Sequence, residues 1–457
     1  MRFVCRFLNA GIIATAAAVA PSFALAESLE EALATAYLTS PTLAAAQASL
    51  RAVNEGVPQA LSDWRPTVTL NGSVGFDNQR SRTGDGDFET LNPNEVDLTV
   101  SQSLYRGGRT LAATKQAEAE ILAERALLAD SEQQLLLDGV QAYMDVWRDE
   151  AILRLNINNE QVLARQLEAS RDRFEVGEIT RTDVAQSEAR LSGATSDRIE
   201  AEGILKTSRA TYEEIIGRPP GTLDAPESVV GLPPTLEQAI TIAVQNNPNV
   251  VSNQFLEISA REAVREAIGE LLPELSLEGQ VRRTENAGST RQRTESASVF
   301  AELRVPLYQA GFVSSQIRQT KQLASERRLL LEEARRDSEQ FAIQTWEALV
   351  SSRAQIDSFT AQVEANEIAL EGVRQENAVG SRTTLDVLDA EQELLDSEID
   401  LVQARRDEVV AAYALLAAIG RLRARDIGLP VEYYDEERDY LEVRNSWYGW
   451  DVPADDQ

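Results

Sequence analysis

The sequence predicts a mainly α-helical chain that also carries four amphipathic β-strands, arranged in two tandem copies. Three observations predict it. Internal motifs recur at a constant offset of about two hundred residues. Each copy contains two stretches of strict apolar–polar alternation. Each also contains a run of nearly seventy residues with almost no glycine and no proline, patterned in sevens.

The chain opens with Arg2 and Arg6, an apolar run from Ala10 to Ala20, and the small-residue site Ala24-Leu25-Ala26. This is the layout of a secretory signal, with cleavage expected between Ala26 and Glu27. The run is shorter than the ~20 residues a membrane helix needs, and no later apolar stretch is long enough either. Residues 1–26 therefore read as a removed signal peptide. The single cysteine, Cys5, leaves with it, so the mature chain is expected to hold no disulfide and no thiolate chemistry.

The repeat is direct. "SLEEALATAYLTSPTL" at 28–43 answers "TLEQAITIAVQNNPNV" at 235–250, an offset of 207. "SLYRGG" at 103–108 answers "PLYQAG" at 306–311, and "FEVGEITRTDV" at 174–184 answers "NAVGSRTTLDV" at 377–387, both at an offset of 203. Two long copies rather than a solenoid of short units follow from that spacing. The expected division is residues 27–222 for the first copy, 223–234 for a linker, 235–430 for the second and 431–457 for an acidic, aromatic tail.

Each copy begins with helical segments, near 28–60 and 235–270. Alternation then takes over near 65–76, 96–105, 273–282 and 297–307. Val68, Leu70, Val74 and Phe76 share one face of the first strand, and Val96, Leu98, Val100 and Leu104 one face of the second. Leu275, Leu277 and Val281 do so in the third, and Val299, Ala301, Leu303, Val305 and Leu307 in the fourth. Period two over about ten residues marks a strand with one apolar and one polar face. The segments between, "NQRSRTGDGDFETLNPN" and "TENAGSTRQRTES", read as polar loops.

After each second strand the period turns helical. Each run could reach roughly 100 Å at 1.5 Å per residue. Leu349, Ile356, Val363 and Leu370 recur every seven residues, as do Leu388, Leu395, Val402, Val409 and Leu416 on the returning segment. Heptads specify helices packed side by side along their length. Gly177 and Gly380 fall at the turns between the paired helices, where a left-handed residue ends a helix. Tyr143 and Trp346 sit at equivalent places and read as core.

The chain is strongly acidic, with 44 basic and 74 acidic residues, which argues against a nucleic-acid partner. It contains no histidine, no phosphate loop, no nucleophile elbow and no metal-ligand spacing. No enzymatic activity, cofactor or metal is expected. Four amphipathic strands leave two possibilities, a small soluble sheet on the helices or part of a membrane barrel. Closing a barrel takes about eight strands, so in the second case several copies must assemble.

The "L-E-x-A" openings, the "L-Y-x-x-G" junctions and "VGSRTTLDVLDA" resemble the TolC family of outer-membrane efflux and secretion channels, over residues 27–430. The resemblance implies a homotrimer with a twelve-stranded barrel in outer-membrane lipid and a coiled-coil tunnel of twelve helices across the periplasm. It also implies partnership with an inner-membrane transporter and a periplasmic adaptor protein, in type I secretion or multidrug efflux. The competing readings are a periplasmic adaptor, which would need one hairpin and no lipid-facing strands, and a structural coiled-coil protein of the envelope.

Paired carboxylates follow the second hairpin turn. Thr180-x-x-Asp183 and Thr383-x-x-Asp386 fit a capping box with threonine at the N-cap. Asp389, one turn past Asp386 on the same face, is not explained by capping, and the first copy has Gln186 there. The resemblance implies that Asp386 and Asp389 ring the periplasmic mouth of the tunnel and select cations. It further implies closing links from Arg382 to Thr182 and from an aromatic side chain to Asp183. Asn377 stands at the aromatic position, a departure that weakens the second link.

Overall fold

The computed structural model describes residues 27–80, 88–225, 229–287 and 292–450. The expected signal peptide and the end of the tail lie outside the described residues. The chain is mainly helical.

The first expected helical segment divides into α1 (Leu29–Thr39), α2 (Pro41–Asn54) and α3 (Gly56–Ser62). Ser40 makes the first break: it ends α1 in an extended conformation, and its hydroxyl then accepts from the Leu43 amide to cap α2. Pro41 follows at the first helical position, where its missing N–H costs nothing. The corresponding α6 (Leu236–Asn246) and α7 (Pro248–Gly269) are separated in the same way by Asn247 and Pro248.

Between α3 and α4 lie β1 (Thr67–Val74), β2 (Asp77–Arg80), β3 (Phe88–Leu91) and β4 (Asn94–Arg106); β5 (Glu274–Glu285) and β6 (Arg293–Arg304) follow α7. Strands β1, β4, β5 and β6 form one antiparallel sheet in that order. The sheet puts β4 beside β5, so strands from the two halves of the sequence meet at its centre. Strands β1 and β6 are its edges.

Several details differ from the sequence reading: β1 stops at Val74, short of Phe76, and β5 and β6 run into the second expected polar loop as far as Glu285 and from Arg293. The first polar loop is not all loop, because β2 and β3 pair across it as a short hairpin. Strand β6 ends at Arg304, leaving Val305 to Leu307 beyond the ladder. The ladder between β4 and β5 shifts between Ser103 and Tyr105. Leu104 is thus the extra residue of a bulge, and Tyr105 takes its place opposite Leu275. A bulge changes which residues share a face, which period counting cannot see.

The register assigns the faces. Leu70, Leu98, Val281 and Ala297 form one cross-strand row, and Val68, Val100, Gly279 and Val299 the next. Two rows on, Tyr105, Leu275 and Leu303 stand abreast. The large side chains of these rows are mostly exposed. The opposite face carries Thr69, Asn71, Asp97, Thr99, Ser101, Gln280, Arg282 and Ser298, with Phe300 the apolar exception. Asp97 is buried there and accepts from Asn71 Nδ2 at 3.0 Å and Thr99 Oγ1 at 3.2 Å.

From the sheet, α4 (Arg109–Glu175) and α8 (Phe312–Ala378) run 67 residues each, and α5 (Arg181–Ile216) and α9 (Thr384–Ala418) return beside them. Leu349, Leu370, Leu388, Leu395 and Leu416 of the heptads are buried, and Ile356, Val363, Val402 and Val409 are half-buried. The largest core lies midway along the helices, where α1 and α6 pack on them around Leu136, Val140, Tyr143, Met144, Tyr212, Leu415 and Ile419. A short C-terminal helix, α10 (Glu436–Arg444), lies against α2 and α3.

Candidate functional site

The helical hairpins end in matching turns. Gly177 and Gly380 adopt φ of 79° and 81°, a left-handed geometry that glycine enters without the steric cost of a side chain. Glu178 N–H donates to the Arg173 carbonyl at 2.9 Å and Ser381 N–H to the Glu376 carbonyl at 2.9 Å. These bonds satisfy carbonyls that the helix ends would leave unpaired.

The returning helices start with capping boxes. Thr180 Oγ1 accepts from the Asp183 amide at 3.3 Å, and Asp183 Oδ2 accepts from the Thr180 amide at 2.8 Å. Thr383 and Asp386 repeat the arrangement at 3.2 and 2.8 Å. Both carboxylates are therefore held at helix starts, where backbone amides and the helix dipole favour negative charge. The amide and hydroxyl of Thr383 hold Asp386 below the ordinary aspartate range, with Arg382 adding to the effect.

Asp389 has a different partner. It pairs with Arg190 of α5, so the second hairpin's carboxylate is joined to the first hairpin of the same chain. Repeat spacing could not have found Arg190, because the offset of 203 sets Arg190 opposite Glu393 and Asp389 opposite Gln186. Nearby, Ser170 and Ser187 hydroxyls meet at 3.2 Å in a buried contact between α4 and α5, and Arg171 pairs with Glu188 at 2.7 Å.

Arg382 is held within its own hairpin. Its Nε donates to Glu376 at 3.0 Å, and its guanidinium lies 4.0 Å from Asp386. Thr182 is exposed on the first turn of α5, and the contacts of Arg382 run to Glu376 and Asp386 rather than to it. Asn377 uses its side chain locally, donating from Nδ2 to the Arg382 carbonyl at 2.9 Å. The tip thus brings Asp386, Asp389 and Arg382 to one end of the helices, with Thr182 and Asp183 on the neighbouring hairpin, and adds Arg190 and Glu376.

A second polar cluster sits in the central core. Glu27, the residue expected to follow the cleavage site, is buried. Its carboxylate accepts from Tyr212 Oη at 2.7 Å and Arg218 at 2.7 Å. Its amide donates to the Thr222 carbonyl at 2.8 Å in the segment beyond α5, and its carbonyl accepts from Tyr143 Oη of α4 at 2.7 Å. Burial pushes the pKa of both tyrosine hydroxyls well above the ordinary range. Tyr143 is therefore a hydrogen-bonding core residue.

Comparison with known proteins fits this architecture. The chain is 34% identical over 431 residues to the outer membrane efflux protein BepC of Brucella suis biovar 1 (strain 1330), covering 94% of this chain and 93% of that one. It is 26% identical over 411 residues to the outer membrane protein TolC of Vibrio cholerae serotype O1 (strain ATCC 39315 / El Tor Inaba N16961), covering 88% and 92%. Among solved structures, the outer-membrane channel OprN superposes with a TM-score of 0.76 at 19% identity, over 86% of this chain and 89% of that one. The family model described as "Outer membrane efflux protein" matches residues 28–218 and 239–421, and the chain belongs to that family, the TolC-like channels of the outer membrane.

Proposed function

We propose that three copies of this chain close their sheets into a twelve-stranded barrel and their long helices into a periplasmic tunnel gated at the hairpin tips. The chain is an outer-membrane channel of efflux and type I secretion, and its relatives include protease secretion proteins. The observation that carries the trimeric reading is the sheet. It presents a band of exposed Val, Leu and Tyr side chains on one face and polar groups on the other, with β1 and β6 as edges. Unpaired edges invite pairing with another chain, and four strands are too few to close alone.

The two-copy division at 27–222 and 235–430, joined by 223–234, is supported by the equal lengths of α4 and α8. It is also supported by their matching left-handed starts at Gly108 and Gly311. In the assembled channel, Asp386 and Asp389 of each copy face the axis, and Arg382, Thr182 and Asp183, which make no link to one another within one chain, hold the mouth closed by contacts between copies. An inner-membrane transporter and its adaptor engage this end, and the conduit itself is passive.

The test is the oligomer. Outer-membrane fractions should yield a heat-modifiable species of three chains; a monomer or dimer in the same fractions overturns the barrel. A deletion strain assayed for drug sensitivity and for lost secreted protein then assigns the cargo.

A further inference from the structure

The C-terminal segment has a path that the channel function does not require. Helix α10 starts beside α4 about a quarter of the way along it, where Arg125 donates to the Glu436 carbonyl at 3.2 Å and lies 5.5 Å from the Tyr440 ring. One turn past Tyr440, Arg444 pairs at 3.1 Å with Glu118, seven residues nearer the start of α4. Beyond the helix, Arg65 donates to the Ser446 carbonyl and lies 5.0 Å from the Trp447 ring. Arg65 is two residues before β1. The tail therefore climbs back along α4 from the central core to the base of the sheet.

The side of the sheet it reaches is also fixed. Gln102 Nε2 donates to the Trp64 carbonyl at 2.7 Å. Gln102 stands opposite Leu277, which stands opposite Ala301, in the apolar rows. The Trp64–Arg65 segment, with Ser446 and Trp447 attached, thus lies at the foot of the apolar face. There Trp64 is 54% exposed, Trp447 66%, Tyr448 95% and Trp450 94%. Three of the five tryptophans of the chain belong to this segment pair.

From this path and this exposure we propose that Trp447, Tyr448 and Trp450 form a lipid-interface anchor at the periplasmic rim of the barrel, an inference that rests on the barrel reading. Indole and phenol rings favour the boundary between headgroups and acyl chains, where one end of the ring is dry and the other wet. The apolar rows of the sheet put hydrocarbon immediately above this level. Arg65, beneath Trp447, lies at headgroup depth. The anchor fixes the height of the helical body relative to the bilayer without adding a strand.

The full-length channel in vesicles of phosphatidylcholine brominated either near the headgroup or near the chain end would test this. The reporter is the emission lost between the wild type and the Trp447→Phe/Trp450→Phe variant. Bromine near the headgroup should quench it more than deep bromine, because the rings sit at headgroup level, and aqueous iodide should quench it little. Strong iodide quenching with no bromine effect would place the tail in water, and insensitivity to both would place it against a neighbouring protomer; either overturns the anchor. Val299→Trp, in the middle apolar row, is the control for the barrel. If deep bromine quenches Val299→Trp and the tail stays unquenched, only the anchor fails; if Val299→Trp is unquenched, the barrel and the anchor fail together.

Discussion

Arg190 of α5 and Asp389 of α9 form an ion pair that joins the tips of the two helical hairpins within one chain. Both side chains are partly exposed, so the pair contributes little to stability, on the order of 0.2–1 kcal/mol. Its larger effect is electrostatic, because it places a guanidinium beside a carboxylate proposed to face the mouth. Removing the cation exposes the full charge of Asp389, and a narrow acidic mouth focuses its field on passing ions. Arg190→Ser should therefore leave the melting temperature nearly unchanged while raising cation selectivity, measured as the reversal potential in planar bilayers. Asp386→Ala/Asp389→Ala should lower it, and wild-type selectivity in that double variant would remove both carboxylates from the mouth.

Asp386 supplies a pH dependence with a definite sign. Its carboxyl is held below the ordinary aspartate range by the Thr383 amide and hydroxyl and by Arg382. A depressed value means that the stabilisation is complete above the unfolded value of about 3.9 and is lost only as pH falls through the lower folded value. Acidification toward pH 4 should thus leave the Asp386 share of cation selectivity in place. In Thr383→Ala the hydroxyl is gone, and the same loss should begin at higher pH in a titration of reversal potential.

Neighbouring residues at one depth on opposite faces separate lipid from lumen. Val299 lies in the middle apolar row, and Ser298 beside it faces the polar side. Val299→Arg should cost roughly 2–4 kcal/mol and reduce assembled channel in the outer membrane. Ser298→Arg should be tolerated. Leu303, at the foot of the band beside Tyr105 and Leu275, should accept arginine at a cost of only ~0–1 kcal/mol because its head can reach water. Equal yields of all three variants would contradict the assigned faces.

The buried Glu27 makes maturation and folding meet at one residue. Its carboxylate serves Tyr212, Arg218 and the Gly221 amide, the last at 3.3 Å. Glu27→Ala strands the buried Tyr212 hydroxyl, and a buried unsatisfied group costs about 1–3 kcal/mol, while the exposed Arg218 can turn to water. Tyr212→Phe, which removes one donor together with its need, should cost less. Denaturant unfolding of the two variants checks the order, and N-terminal sequencing of the outer-membrane protein should begin at Glu27.

The buried carboxylate of Glu132 predicts the opposite pH trend to Asp386. Burial raises it above the ordinary range, while the Ala424 amide at 2.7 Å and Arg423 oppose that rise. A raised value stabilises the fold below the unfolded value of about 4.3, and that contribution is lost as pH rises through the folded value. Glu132→Gln should flatten this part of the stability–pH curve, measured by thermal unfolding between acid and neutral pH.

Local pattern alone determined much of this chain. Alternation around Val68, Leu98, Val281 and Val299 marked strands and faces, because a strand's side-chain period is set by its own backbone. Heptads through Leu349, Leu370, Leu388 and Leu416 marked the long helices for the same reason, and Gly177, Gly380, Thr180 and Thr383 marked their ends through conformational preference and capping chemistry. Tertiary structure decided the rest. That β4 pairs with β5, that Leu104 bulges so Tyr105 faces Leu275, and that β2 and β3 pair across a polar loop are choices of register between segments. The Arg190–Asp389 pair joins residues 199 positions apart, Glu27 meets Arg218 across 191, and Arg65 meets Ser446 across 381. No periodicity encodes such meetings, because each depends on how packed helices and sheet bring distant surfaces together once the local elements already exist.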